Sequence, residues 1–181
     1  TFEGKRAGYH IDLGPGQTID EKIKYVLDRL SKVSPYRAKV YEKWMQELLT
    51  TDKEDVEDSI LPVTNDIGET TVIPKSCEVL QVAFQRNDRL VKAGLKRYVF
   101  DKDILKYLSI DSIVELYFHE IVYREARLRG DTDSILARHL NYIILSKEIE
   151  KMSVEDFNEK LKNLGSKCVE MEGLANRYSC G

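Results

Sequence analysis

Several features that would classify this chain quickly are missing from it. There is no excess of charge: 28 lysines and arginines face 31 aspartates and glutamates, a formal net charge of −3. Nucleic-acid binders concentrate basic residues against phosphate, so a nucleic-acid partner has no electrostatic support and none is expected. Acidic and basic residues interleave, as on a solvated surface rather than a charged tail. Long apolar runs are absent too. None approaches the roughly 18 residues a membrane-crossing helix requires, so no membrane span is expected.

Cysteine is scarce and odd in number, at Cys77, Cys168 and Cys180. Cys168 and Cys180 are close enough in sequence to close a small loop in an oxidising compartment, leaving Cys77 free. Three reduced thiols, with Cys77 buried as a small hydrophobe, is the other reading, and spacing does not choose between them. Glycine-rich phosphate loops are lacking: no Gly-Lys-Ser/Thr follows Gly14-Pro15-Gly16. The chain opens on Thr1 without methionine, and a processed or trimmed product is the expectation.

What is present suits one domain over residues 1–181, mainly helical, with 42% hydrophobic and 33% charged residues. An N-terminal helical pair is expected over about 17–50. Thr18 and Glu21 have the spacing of a capping box, and Ile19, Ile23, Val26, Leu27, Leu30 and Val33 recur at helical period. Ser34-Pro35 opens the second helix, which is lined by Ala38, Tyr41, Met45, Leu48 and Leu49 and read as antiparallel to the first. Thr50–Ser59 reads as a loop.

A second half, over about 60–164, bears the motifs. Leu61–Thr64 and Thr70–Ile73 flank a turn and read as a hairpin, and Leu95–Phe100 as a further strand. Between them Ser76 starts a predicted helix carrying Cys77 and running to Phe84. Helices follow from Asp101, from Ser109 or Asp111 to Gly130, from Ser134, and from Ser153 to Leu164. The fold class is mainly α (α+β): six to eight helices with a small hairpin or short antiparallel sheet.

The most informative stretch is Ile113–Ala126, where His119 and Glu120 sit in a helix apolar on most of its sides. Ionisable groups there must find partners. A zincin helix carries His-Glu-x-x-His, which puts two imidazoles on one face. Here Tyr123 occupies the second position, so no metal is expected, and Glu120 with Arg124 forms an i, i+4 ion pair instead. A Cys77–His119 pair is the other chemical option, because a helix N-terminus lowers a thiol pKa and an imidazole can serve as base. No oxyanion loop accompanies it. Arg138, with Arg124, Arg127 and Arg129, places guanidinium groups near the turn at Gly130. They can clamp an anion or pair with Glu120, Glu125, Asp131 and Asp133, the last two also being helix caps.

The order Ile73-Pro74-Lys75-x-Cys77, Gln81-x-Ala83, Arg97-Tyr98, His119-Glu120-x-x-Tyr123-Arg124-x-Ala126, Gly130 and Asp133-Ser134-x-x-x-Arg138 resembles a family of uncharacterised exported bacterial proteins. The likeness covers roughly Leu61 to Ser146. It implies a signal peptide and a periplasmic or secreted location. It also groups Cys77, Gln81, His119, Glu120, Tyr123, Arg124, Ser134 and Arg138 in one constellation, but supplies no reaction. The expected function is an exported, non-enzymatic binding or interaction domain with a buried His-Glu-Arg network and no cofactor. Its expected partner is a protein, cell-envelope material or a small ligand. The alternative is a hydrolase using a metal at His119 and Glu120 or a Cys77–His119 pair.

Overall fold

The computed structural model describes residues 2–62 and 80–164. Eight α-helices and three short strands lie among them: α1 Phe2–Arg6, α2 Ile19–Val33, α3 Pro35–Thr50, β1 Lys53–Val56, β2 Ala83–Gln85, α4 Asp88–Lys92, β3 Tyr98–Asp101, α5 Lys102–Leu105, α6 Ile110–Leu128, α7 Ile135–Leu145 and α8 Val154–Asn163, with a 3-10 turn at Lys147–Lys151. The chain is mainly helical with a small sheet. It divides into two compact units, residues 1–45 with 109–181, and residues 46–108.

The first unit is built from helices whose ends are written locally. Thr18 and Glu21 make the reciprocal capping box at α2, as do Ser153 and Asp156 at α8. Ser109 caps α6 by accepting from Ser112 N at 3.1 Å. The same helix stops at Gly130, with φ at +89°. There Gly130 N donates to Arg127 O and Asp131 N to Ala126 O, both at 3.0 Å, the paired bonds that satisfy the last carbonyls when glycine turns left-handed.

Helix α2 buries Ile23, Val26, Leu30 and Val33 and packs on α6, α7 and α8, while α6 and α7 form the closest helix pair. The expected antiparallel pairing of α2 with α3 does not occur as the main contact. A single residue, Ser34, separates the two helices, and an αα-hairpin needs a loop of roughly 2–5 residues to reverse the chain.

The N-terminal segment is strapped onto the end of α7. Ile11 bridges Ser146, Asp12 N donates to Leu145 O at 2.9 Å, and Lys147 N donates to His10 O at 2.8 Å. The strap turns at Gly14, φ +78°, where a Cβ would come within 2.6 Å of Cγ of the Tyr25 ring.

In the second unit the sheet order is β1-β3-β2, with β1 parallel and β2 antiparallel to β3. All four residues of β3 are buried. β1 falls where a loop was expected, because Lys53-Glu54-Asp55 has no strand propensity. It is held by pairing with β3 and by Asp52, whose carbonyl accepts from Tyr98 N at 3.0 Å and whose carboxylate accepts from Arg97 N at 2.7 Å. Charged residues suit such an edge position. β2 replaces the end of the helix expected from Ser76 to Phe84: short apolar runs serve either element, and the free side of β3 pairs with this one. The expected hairpin strands and Cys77 fall mostly or wholly at 63–79, outside the described residues.

These turns give a graded expectation. Gly130→Ala adds left-handed strain alone, since nothing lies within 4 Å of the new Cβ, and should lower unfolding free energy by about 1 kcal/mol. Gly14→Ala adds the collision with Tyr25 to the same strain and should lower it further, as read from denaturant midpoints at constant m-value.

Candidate functional site

Helix α6 buries Val114, Tyr117, Phe118, Ile121, Val122 and Ala126. A helix covered on so many sides takes its ionisable residues inside with it: Glu120 is 5% exposed, Arg124 9% and Glu125 0%.

Glu125 is the centre of a closed ionic cluster. Its carboxylate accepts from Arg37 Nε at 3.0 Å and Nη2 at 3.2 Å, from the Tyr41 hydroxyl at 2.6 Å, and from Arg129 Nη1 at 2.9 Å. Arg129 reaches on to Asp131 Oδ2 at 3.0 Å. Arg37 and Tyr41 lie one turn apart on α3. The Arg37 guanidinium also sits 5.8 Å from the Phe157 ring of α8. Beside the cluster, Tyr41 stacks on Trp44, and Arg124 lies 4.5 Å over the Trp44 ring. Two arginines face Glu125 and Asp131, so the group is neutral as a whole.

Burial by itself would raise the Glu125 pKa. The charges of Arg37 and Arg129, with the hydrogen bonds from Arg37 and Tyr41, outweigh it and hold the carboxyl below its usual range. Arg37 is likewise disfavoured by burial, yet kept charged more firmly than a free guanidinium by Glu125 and Tyr41. Burial and the neighbouring carboxylate push the Tyr41 phenol well up.

The residues singled out in the sequence are distributed around this centre. His119 is half-buried and stacks with Tyr123, ring centroids 6.2 Å apart. Ser134 is buried at the start of α7, where the capping acceptor is Asp133, Oδ1 to Ile135 N at 3.0 Å. Arg138 is half-buried on α7. Gln81 belongs to the second unit, and its amide donates to Ala83 O. Cys77 is outside the described residues. Among those residues no group of three or more His, Cys, Asp or Glu side chains is arranged to hold a metal ion.

A second polar centre escaped sequence reasoning altogether. Arg29, 3% exposed, donates from Nη2 to Asp12 O at 2.5 Å and to Leu145 O at 3.4 Å. Its Nη1 stands 3.6 Å from both Asp12 Oδ2 and Glu150 Oε1. Tyr25 donates its hydroxyl to Glu150 at 3.1 Å and lays its ring 4.6 Å from the Arg29 guanidinium. Nearby, Glu148 meets His10 Nδ1 at 2.6 Å. Burial pushes that carboxyl up, but the hydrogen bonds from His10 and from main-chain amides prevail and bring it to about 2. The local signals are i, i+4 pairings on single helices: Arg37 with Tyr41 and Glu125 with Arg129 for the first centre, and Tyr25 with Arg29 for the second.

Chemically, the Glu125 cluster is saturated. A carboxylate that already accepts four donors has little acceptor capacity left for a substrate. Comparison with known proteins finds no match, whether to a family model, a curated protein or a solved structure.

Removing the anion from this cluster leaves two buried cations. Glu125→Ala should cost about 3–5 kcal/mol of unfolding free energy. The pH dependence has a defined sign. Because the folded pKa is depressed, the contribution of Glu125 is complete above its unfolded value near 4.3 and is lost as pH falls through the lower folded value. Glu125→Gln should therefore lose less stability than wild type on acidification below about pH 5, measured by urea unfolding across pH.

Proposed function

We propose that this chain is an exported, non-enzymatic binding domain. The observation that carries the non-enzymatic part is the saturation of Glu125 by Arg37, Tyr41 and Arg129. Charge buried on the central helix is spent on holding helices together, as expected for a rigid scaffold. Glu120 and Arg124, buried on the same helix, extend that structural role. Export follows from the motif resemblance. In this reading ligands meet the surface of the domain, and His119 is a packing residue stacked on Tyr123.

Two measurements test the reading. Elemental analysis of purified protein should find zinc far below one atom per chain; a stoichiometric metal would instead favour metal-assisted hydrolysis at His119 and Glu120. Glu120→Ala should depress the melting temperature to a degree matching a buried polar group left without its partners, about 3–5 kcal/mol. A melting curve unchanged by that substitution removes the structural role and returns Glu120 to candidacy as a catalytic group.

A further inference from the structure

We propose that the tip joining β2 to β3 docks on an anionic lipid surface. The proposal names a partner chemistry for the binding reading and rests on it, although it uses none of the α6 residues.

The connection from Arg86 to Arg97 concentrates charge of one sign in a chain that is acidic overall. It holds Arg86, Arg89, Lys92, Lys96 and Arg97 against a single acid, Asp88. The cations at its base are neutralised. Arg86 pairs with Glu54 at 2.6 Å, and Arg97 pairs with Asp88 at 2.7 Å and lies 3.7 Å from Asp52. The cations at the tip are not. Arg89 and Lys92 are exposed and have no carboxylate partner among the described residues, and the exposed Lys96 ammonium rests on the neutral carbonyl of Thr51. Three positive charges with no carboxylate partner among the described residues therefore lie within eight residues.

The same tip exposes apolar side chains. Helix α4 buries none of its residues. It ends with Gly94 at φ +95°, where Gly94 N donates to Val91 O at 2.9 Å and Leu95 N to Leu90 O at 3.2 Å. That motif brings Leu90 and Leu95 side by side as its apolar pair. It explains their proximity but not their exposure, which remains 40% and 45%. Two exposed leucines and the exposed Arg89, Lys92 and Lys96 thus share one short connection between two strands. A bilayer interface accepts apolar side chains and basic residues together, with no demand for a shaped counterpart. An acidic polypeptide offers the charge but no apolar layer for the leucines, so lipid is the better fit.

The test is cosedimentation of the full chain with vesicles of phosphatidylserine and phosphatidylcholine, and with phosphatidylcholine alone. Binding to the anionic vesicles only, weakening as added salt shortens the screening length, is the expected result. Arg89→Glu with Lys92→Glu should reduce that binding by more than the roughly fivefold per cation expected for charge removal alone. Leu95→Ser should weaken it at unchanged charge. All these side chains are exposed, so wild-type melting curves in the variants exclude misfolding. Absence of binding to anionic vesicles at low salt overturns the proposal. So does equal binding by the charge-reversed variant, or binding to polyglutamate in place of vesicles. Loss of vesicle binding alongside the expected zinc and Glu120→Ala results would overturn the lipid partner and leave the binding-domain reading standing.

Discussion

The first unit depends on one carboxylate. Removing Glu125 from water costs several kcal/mol unless its charge and lone pairs are met, and they are met from two helices at once. Arg37 and Tyr41 approach from α3, and Arg129 from the end of α6 itself. Hydrogen bonds near 3 Å tolerate little sliding, so the cluster sets the register of α3 on α6. The face of Arg37 turned to Phe157 brings α8 into the same arrangement. Apolar packing alone would hold these helices together while allowing several neighbouring registers; the ionic cluster admits one.

Charge is handled in opposite ways in the two units. In the first, cations are drawn inside and answered: Arg37 and Arg129 by Glu125, and Arg29 by the Asp12 carbonyl with Asp12 and Glu150 alongside. At the tip of the second, Arg89, Lys92 and Lys96 stay at the surface without a carboxylate partner among the described residues. A unit whose central carboxylate, Glu125, already accepts four hydrogen bonds keeps its capacity for interaction at its exterior. The binding reading and the lipid proposal both follow that division.

Much of the helical architecture was legible because helix ends are local events. Thr18 with Glu21, Ser153 with Asp156, Ser109 and Gly130 each announce a terminus within four residues, and the structure uses all of them. The strands were less legible. β1 exists because β3 offers it an edge, and Lys53-Glu54-Asp55 carries no trace of that partner; Ala83-Phe84 is apolar enough for either element until β3 selects one. The polar centres were hidden for the same reason at longer range. Glu125 meets Arg37 across 88 positions and Tyr41 across 84, and Arg29 meets Leu145 across 116. His119 and Glu120 share their helix with Glu125, which lies five residues beyond Glu120.

The strap at Ile11–Asp12 has a consequence for how the molecule is made. It is tied to Leu145, Ser146 and Lys147, and α2 rests on α6, α7 and α8, so the opening helices of the first unit have nothing to rest on until the closing ones leave the ribosome. The intervening 46–108 unit is complete by then, since its strands pair within their own stretch of chain. At roughly 5–20 residues per second, the buried side of α2 waits several seconds in the open. During that interval the nascent chain, rather than the finished domain, is the form most exposed to aggregation and most dependent on a chaperone.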